Sequence, residues 1–179
     1  MLDLILKTIW LLLPAYTPNN FAVVFGGGTP IDLGKKFIDG KRILGDGKTI
    51  RGFVAGVLGG LLVAHIQLVI ESILNFKIYS SLSYIQFLHL TFLLALGSMV
   101  GDSVGSFIKR RLGFERGKSF PILDQLTFLI VAYLFATLSP AFKLLFTLDI
   151  IILSILITPI LHLITNVIAY MLKLKEVPW

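Results

Sequence analysis

Five runs of mostly apolar residues, each near the length of a membrane crossing, limit what this chain can become. They cover about 2–24, 53–74, 84–108, 122–138 and 148–172. A bilayer core of about 30 Å takes roughly 20 apolar residues as helix. The expected fold is therefore an all-α integral membrane protein of about five transmembrane helices, forming one polytopic domain over 1–179. Charge content agrees: 15% of residues are charged, whereas soluble domains carry about 25%. The fourth run is short. The first contains Pro14, Thr17, Pro18, Asn19 and Asn20, which predicts a kink or break near its end. It has no basic leader and no small-residue cleavage site after it, so it is expected to be a retained span. The chain has no cysteine, which excludes disulfides, thiolate metal sites and a cysteine nucleophile.

The basic residues set the expected orientation. Lys35, Lys36, Lys41, Arg42, Lys48 and Arg51 lie between runs one and two. Lys109, Arg110, Arg111, Arg116 and Lys118 lie between runs three and four, and Lys173 and Lys175 follow run five. With five spans these thirteen fall on one side, and Lys7, Lys77 and Lys143 on the other. The positive-inside rule then puts the N-terminus outside, the C-terminus in the cytoplasm, and the chain in the cell membrane. The cytoplasmic loops would be about 25–52 and 109–121. Charges that only orient a protein need no glycines or acids among them, and both loops have them.

The 26–52 loop has the most unusual composition in the chain. Gly26, Gly27 and Gly28 open it, Asp32 follows, and Asp39-Gly40 and Gly45-Asp46-Gly47 punctuate it. Glycines let backbone N–H groups converge on an anion, and Lys48 and Arg51 supply countercharge. Thr49 and Arg51 fall where the second span begins, so a helix N-terminus could face a phosphate there. A flexible connector rich in turn residues is the plainer alternative. Gly47-Lys48-Thr49 resembles the end of a Walker A loop, but that motif needs glycine at position 42, which is Arg42.

Two carboxylates stand where a membrane chain avoids them. Asp102 interrupts the third run, and Asp124 stands at the mouth of the fourth. Such placement costs roughly 2.5–3.5 kcal/mol on lenient insertion scales and implies a partner or a wet cavity. On a helix Asp102, Ser106 and Lys109 share one face. Gly97, Gly101 and Gly105 recur every fourth residue, which permits close helix packing. Asp102 could simply pair with a Lys or Arg, and Asp124 could cap a helix. Two acids on consecutive helices, joined by a basic loop, favour a metal site instead. Oxygen ligands suit Mg²⁺, which keeps waters and substrate phosphates in its shell.

Other polar residues say less. His65 and His89 read as packing residues within spans. Thr158, His162, Asn166 and Tyr170 form a stripe that either joins helices or lines a cavity. Asn19 and Asn20 could satisfy broken backbone or touch a headgroup. Glu71 and Asp149 read as solvated ends.

These residues together resemble the archaeal CDP-archaeol synthases, CTP-dependent transferases of ether-lipid synthesis. The resemblance runs nearly end to end. It rests on Pro14-x-Tyr16-x-x-Asn19, Pro30-Ile31-Asp32, the stretch from Asp39-Gly40 through Lys48-Thr49-Ile50-Arg51-Gly52, and Gly101-Asp102-x-x-Gly105-Ser106 with Lys109-Arg110-Arg111. Leu123-Asp124-Gln125 and Val177-Pro178-Trp179 complete it. Bacterial phosphatidate cytidylyltransferases are more distant relatives; Gln125 stands where their signature has arginine. The resemblance implies an enzyme, a CTP:lipid-phosphate cytidylyltransferase. It would join CTP to 2,3-bis-O-(geranylgeranyl)-sn-glycerol 1-phosphate, giving CDP-archaeol and pyrophosphate by direct, Mg²⁺-dependent transfer. Asp102 and Asp124 would hold metal, with Lys109 and Arg110 as further catalytic groups. Substrate contacts would come from Gly27, Gly28, Asp32, Lys48, Thr49, Arg51, Ser106, Arg111, Arg116, Lys118 and Gln125. The expected partners are CTP, an isoprenoid ether-lipid phosphate and the bilayer, with no nucleic acid; a homo-oligomer stays open. The alternatives are a small transporter or scaffold, and a cytidylyltransferase using ester lipids. A CDP-alcohol phosphotransferase is excluded by the lack of its Asp-Gly-x-x-Ala-Arg signature.

Overall fold

The first apolar run breaks into two helices at Pro18, whereas Pro14 and Pro159 lie inside helices. The computed structural model describes residues 1–115, 118, 120 and 122–174. Arg116, Pro121, Lys175 and the closing Val177-Pro178-Trp179 lie outside the described residues. Helices α1 (Leu2–Tyr16) and α2 (Pro18–Phe25) come from the first apolar run. Pro18 has no N–H to continue α1 and instead starts α2. The break expected from the prolines is therefore present.

Three helices are long and apolar enough to cross a membrane: α3 (Ile50–Leu74), α4 (Tyr84–Arg111) and α7 (Leu148–Met171). The fourth run yields α5 (Leu123–Ala136), a shorter apolar helix, followed by the single turn α6 (Phe142–Leu145). Helix α3 starts three residues earlier than expected because Thr49 caps it, its hydroxyl accepting from Gly52 N–H at 3.1 Å. Ser83 and Gln86 form a capping box at the start of α4. On α3, Leu58, Leu62, Val69 and Ile73 are more than half exposed. Apolar side chains turned outward along a crossing helix are what a lipid solvent requires.

Helix α4 is the centre. It packs against α5 most extensively, and also against α3 and α1. Gly97 and Gly101 bring α4 against the α5 backbone, so two of the three expected packing glycines do this work. A Cβ at Gly101 would lie 2.6 Å from Phe128 Cα, whereas one at Gly105 would stand 3.7 Å from Thr127. Ser98 donates to Ala15 C=O at 2.6 Å, tying α4 to α1 just before the α1–α2 break. Asp102 is one turn further along the same face, so it is aimed at that break.

Glu71 corrects an expectation. It is buried, not solvated. Its carboxylate accepts from Trp10 Nε1, from the backbone N–H groups of Ile78, Tyr79 and Ser80, and from Ser80 Oγ, all at 2.6–3.0 Å. This locks α1, α3 and the turn Tyr79–Ser81 together. An orphaned buried donor costs about 1–3 kcal/mol. Glu71→Ala is therefore expected to destabilise the bundle by at least about 3 kcal/mol, read as a fall in melting temperature in detergent. Melting within a degree of the parent would show that these donors find other acceptors.

Candidate active site

The loop joining α2 to α3 is an ordered cap. Two antiparallel bridges, Pro30 with Thr49 and Lys36 with Arg42, fold it back on itself. Asp32 is its hub. The buried carboxylate accepts from the Arg42 guanidinium (2.7 and 3.2 Å) and from the N–H groups of Gly34, Leu44 and Gly45 (2.9–3.2 Å). Its lone pairs are taken up by its own loop, so Asp32 holds the shape of the cap. The Arg42 guanidinium holds the Asp32 carboxyl well below the usual carboxylate range; burial opposes this, and the three backbone donors reinforce it.

A depressed carboxyl contributes stability that is full above its unfolded value of about 4 and is lost only as pH falls toward the folded value. Amide exchange of Leu44 and Gly45, corrected for intrinsic rate, is thus expected to be equally slow at pH 5 and pH 7. Asp32→Asn should speed it at both. Faster exchange at pH 5 in the parent would contradict the assignment.

The cap is clamped to the end of α4. Arg111 pairs with Asp39 at 3.1 Å, donates to Arg42 C=O, and lies over the rings of Phe37 and Phe107 at 4.9 and 4.8 Å. Lys41 donates back to Arg111 C=O at 3.0 Å. Both basic loops therefore meet on one face of the bundle. Arg111, expected at substrate, clamps the cap to α4, and its buried Nη1 is left without a hydrogen-bond partner among the described residues. Gly27 adopts φ +89, and a Cβ there would come within 3.0 Å of Arg51 Nη2. Only glycine lets Arg51 fold over this turn, where it donates to Gly26 C=O at 3.0 Å from Nε and also through Nη2. Gly28 (φ +82) faces open space beside it.

The two aspartates meet beneath the cap. Asp102 pairs with Lys48, and its other oxygen has no partner among the described residues. Asp124 pairs with Lys109 at 3.0 Å and accepts from Phe120 N–H at 2.9 Å. The ion pair that the sequence offered for Asp102 is thus realised, while Asp124, read as a helix cap, stands in the first turn of α5 and pairs with Lys109. Yet both carboxylates also line one narrow cavity of about 30 Å³ with Tyr16, Asn19 and Asn20. Phe128 of α5 and His162, Thr165 and Asn166 of α7 close it. That is room for about two water-sized ligands. Among the described residues no cluster of three or more His, Asp or Glu forms a ready-made metal centre. Two carboxylates and nearby amide oxygens are a hard-oxygen donor set that fits Mg²⁺, whose remaining positions waters and phosphates fill. A larger hollow of about 460 Å³ lies between α3 and α4, lined by Ile31, Phe53, Val54, Val104 and Phe107 among others. It holds no charged side chain, whereas the smaller cavity holds both aspartates.

The remaining expected residues divide. Arg110 makes no side-chain hydrogen bond or ion pair among the described residues, and its buried Nε lacks an acceptor beside Gly45. It is a cation available to an anion. Ser106 stands one turn beyond Asp102 on α4. Thr49 is occupied as a cap, and Gln125 turns back to accept from Ile122 N–H at 3.3 Å. Lys118 pairs loosely with Glu115 at 3.7 Å, while its carbonyl accepts from Lys109. Phe128 and Thr165 escaped the sequence reading, and Tyr16 entered it only as a motif residue, because nothing local marks an aromatic or a threonine in an apolar helix as cavity lining. The α7 stripe splits. Thr158 bonds Tyr16 Oη at 2.8 Å and joins helices, whereas His162 and Asn166 line the cavity. His65 packs as expected, against Leu61 C=O and Tyr84 Oη.

Comparison with known proteins agrees with this architecture. Residues 1–179 match the family described as CarS-like, CDP-archaeol synthase. A CDP-archaeol synthase of Archaeoglobus fulgidus is 66% identical over 179 residues, covering all of both chains. One from Methanocaldococcus jannaschii is 46% identical over 180 residues, covering 98% of each. A solved structure of an intramembrane enzyme for archaeal membrane lipid biosynthesis aligns with TM-score 0.73 at 35% identity, covering 90% of this chain and 94% of that one. By its sequence over its whole length and by its fold, the chain belongs to the CDP-archaeol synthase family.

Proposed function

We propose that this membrane-embedded enzyme transfers a cytidylyl group from CTP to an isoprenoid ether-lipid phosphate, with Asp102 and Asp124 as its Mg²⁺ ligands. The observation that carries the site assignment is the convergence of both carboxylates on one cavity beneath a basic, glycine-turned cap. A lipid phosphate oxygen attacks the α-phosphorus of CTP. The bond from that phosphorus to the α–β bridging oxygen breaks, and pyrophosphate leaves. The lipid phosphate is already a competent nucleophile, so no covalent intermediate or strong base is needed. Catalysis is positioning and charge neutralisation.

When bound, Mg²⁺ supplies positive charge to the CTP phosphate oxygens. Lys48, Lys109 and Arg110 neutralise the charge that passes to the leaving pyrophosphate. Arg51 and the turn at Gly27 and Gly28 offer a second anion contact. Asp32 and Arg111 hold the cap that carries Lys48. The clamp between the two basic loops supports one shared face for them, and the excess of Lys and Arg there favours the cytoplasm for that face.

The test is turnover of purified protein in detergent with radiolabelled CTP, Mg²⁺ and either geranylgeranyl-ether lipid phosphate or diacyl phosphatidate. A CDP-lipid formed from the ether substrate is expected. Product from the ester lipid alone would transfer the assignment to phosphatidate, and no product from folded protein would discard it.

A further inference from the structure

We propose that Lys48 and Lys109 stand in for the metal's charge, so that Mg²⁺ binds firmly only once a polyphosphate is present to receive the lysines. This rests on the assignment of Asp102 and Asp124 as Mg²⁺ ligands. Each of those carboxylates is already neutralised by one ammonium group, and both pairs are partly buried: the side chains are 23% and 25% exposed for Lys48–Asp102, and 14% and 25% for Lys109–Asp124.

A divalent ion arriving alone must share or displace those ammonium groups. A displaced lysine in a half-buried site then has no counterion, which is costly. A triphosphate removes that cost by accepting the lysine. Metal and nucleotide are thereby coupled, and the coupling is reciprocal.

The two lysines differ in freedom. The Lys48 backbone is fixed, its carbonyl accepting from Ile31 N–H at 2.8 Å and its N–H reaching Gly45 C=O at 3.3 Å. Its side chain is tied only to Asp102, so the ammonium can exchange partners without moving the cap. Lys109 holds Asp124 and also the Lys118 carbonyl at 3.0 Å. Lys48 is therefore the lysine that exchanges first.

Association of Mg²⁺ with CTP in free solution would also make metal uptake follow nucleotide, so the decisive measurement contains no nucleotide. Mn²⁺, a spin-active substitute for Mg²⁺, is titrated into purified protein in detergent, and free Mn²⁺ is counted by electron paramagnetic resonance. Lys48→Met keeps the apolar stem and removes the charge. It is expected to tighten nucleotide-free Mn²⁺ binding by about 10-fold or more, within the 5–150-fold range of ordinary site coupling. Lys109→Met should act in the same direction. Lys41→Met, on the same cap but bonded to a carbonyl and not to either aspartate, should leave Mn²⁺ binding unchanged.

Unchanged or weaker binding in Lys48→Met overturns the proposal. So does an equal gain in Lys41→Met, because the effect would then be the general field of the basic face. If the parent binds no Mn²⁺ even with CTP while CTP itself binds, the metal assignment fails and takes this inference with it. A melting curve for each variant separates these outcomes from misfolding.

Discussion

Asp102→Asn is expected to lower turnover about a hundred- to a thousand-fold, the loss seen when one preorganised charge-stabilising group is removed. The substitution keeps the shape of the side chain and removes its charge. Asp102 is partly exposed and lies at the cavity, not in the apolar core, so the fold should persist. Lys48 is left without its carboxylate in a partly buried pair, so a lower melting temperature accompanies the rate loss. Asp124→Asn should behave alike. The double variant should be little worse than either single one, because groups that act as a unit are strongly non-additive. The measurement is kcat with saturating CTP and lipid phosphate, beside a melting curve for each protein. Near-normal turnover in either single variant would remove that residue from the catalytic site.

Gly101→Ala is the second large effect, and it acts through packing. The new methyl carbon would sit 2.6 Å from Phe128 Cα and 2.8 Å from Thr127 O. Both are backbone atoms of α5, so no side-chain rotation relieves the clash. The helices must part, at a cost of about 1–3 kcal/mol. The consequence reaches the chemistry, because Asp102 is the next residue on α4 and Asp124 lies on the first turn of α5. Parting the helices moves one carboxylate against the other. Misplacement by about 1 Å can cost a hundred-fold in rate. Gly105→Ala is the control: its methyl would meet Thr127 at 3.7–3.8 Å, an ordinary contact. The expected pattern is a lowered melting temperature and a large rate loss for Gly101→Ala, with near-parental behaviour for Gly105→Ala. Equal behaviour of the two would show that this contact does not set the carboxylate geometry.

Much of this was legible in the residues themselves. Apolar run length dictates helices, because each crossing must satisfy its own backbone hydrogen bonds. Pro18 alone predicts the break between α1 and α2, since a missing N–H is a local property. The aspartates stood out because carboxylates in apolar runs are expensive enough to need a reason. The motif around Asp39–Gly52 and Gly101–Arg111 pointed to the family for the same reason: charged and glycine positions in a greasy chain carry most of its information.

Roles were harder to read than membership. Asp32 and Glu71 looked like a ligand and a solvated end. Each is instead saturated by donors from its own fold, among them Arg42 for Asp32 and Trp10, 61 residues away in sequence, for Glu71. Arg111 read as a phosphate contact and is found clamping the cap to α4, while Arg110 beside it makes no side-chain hydrogen bond or ion pair among the described residues.

By itself, then, the sequence determined a helical membrane protein, its clustered basic loops and two conspicuous carboxylates, each from local length, composition or cost, and its motifs supplied the family. Only the tertiary structure decided that Lys48 answers Asp102 across 54 residues, that Lys109 answers Asp124, and that Asn19, His162 and Asn166 share their cavity. The physical reason is that a hydrogen bond or ion pair depends on positions a few ångströms apart in space, and helix packing sets those positions without leaving a local mark in the chain.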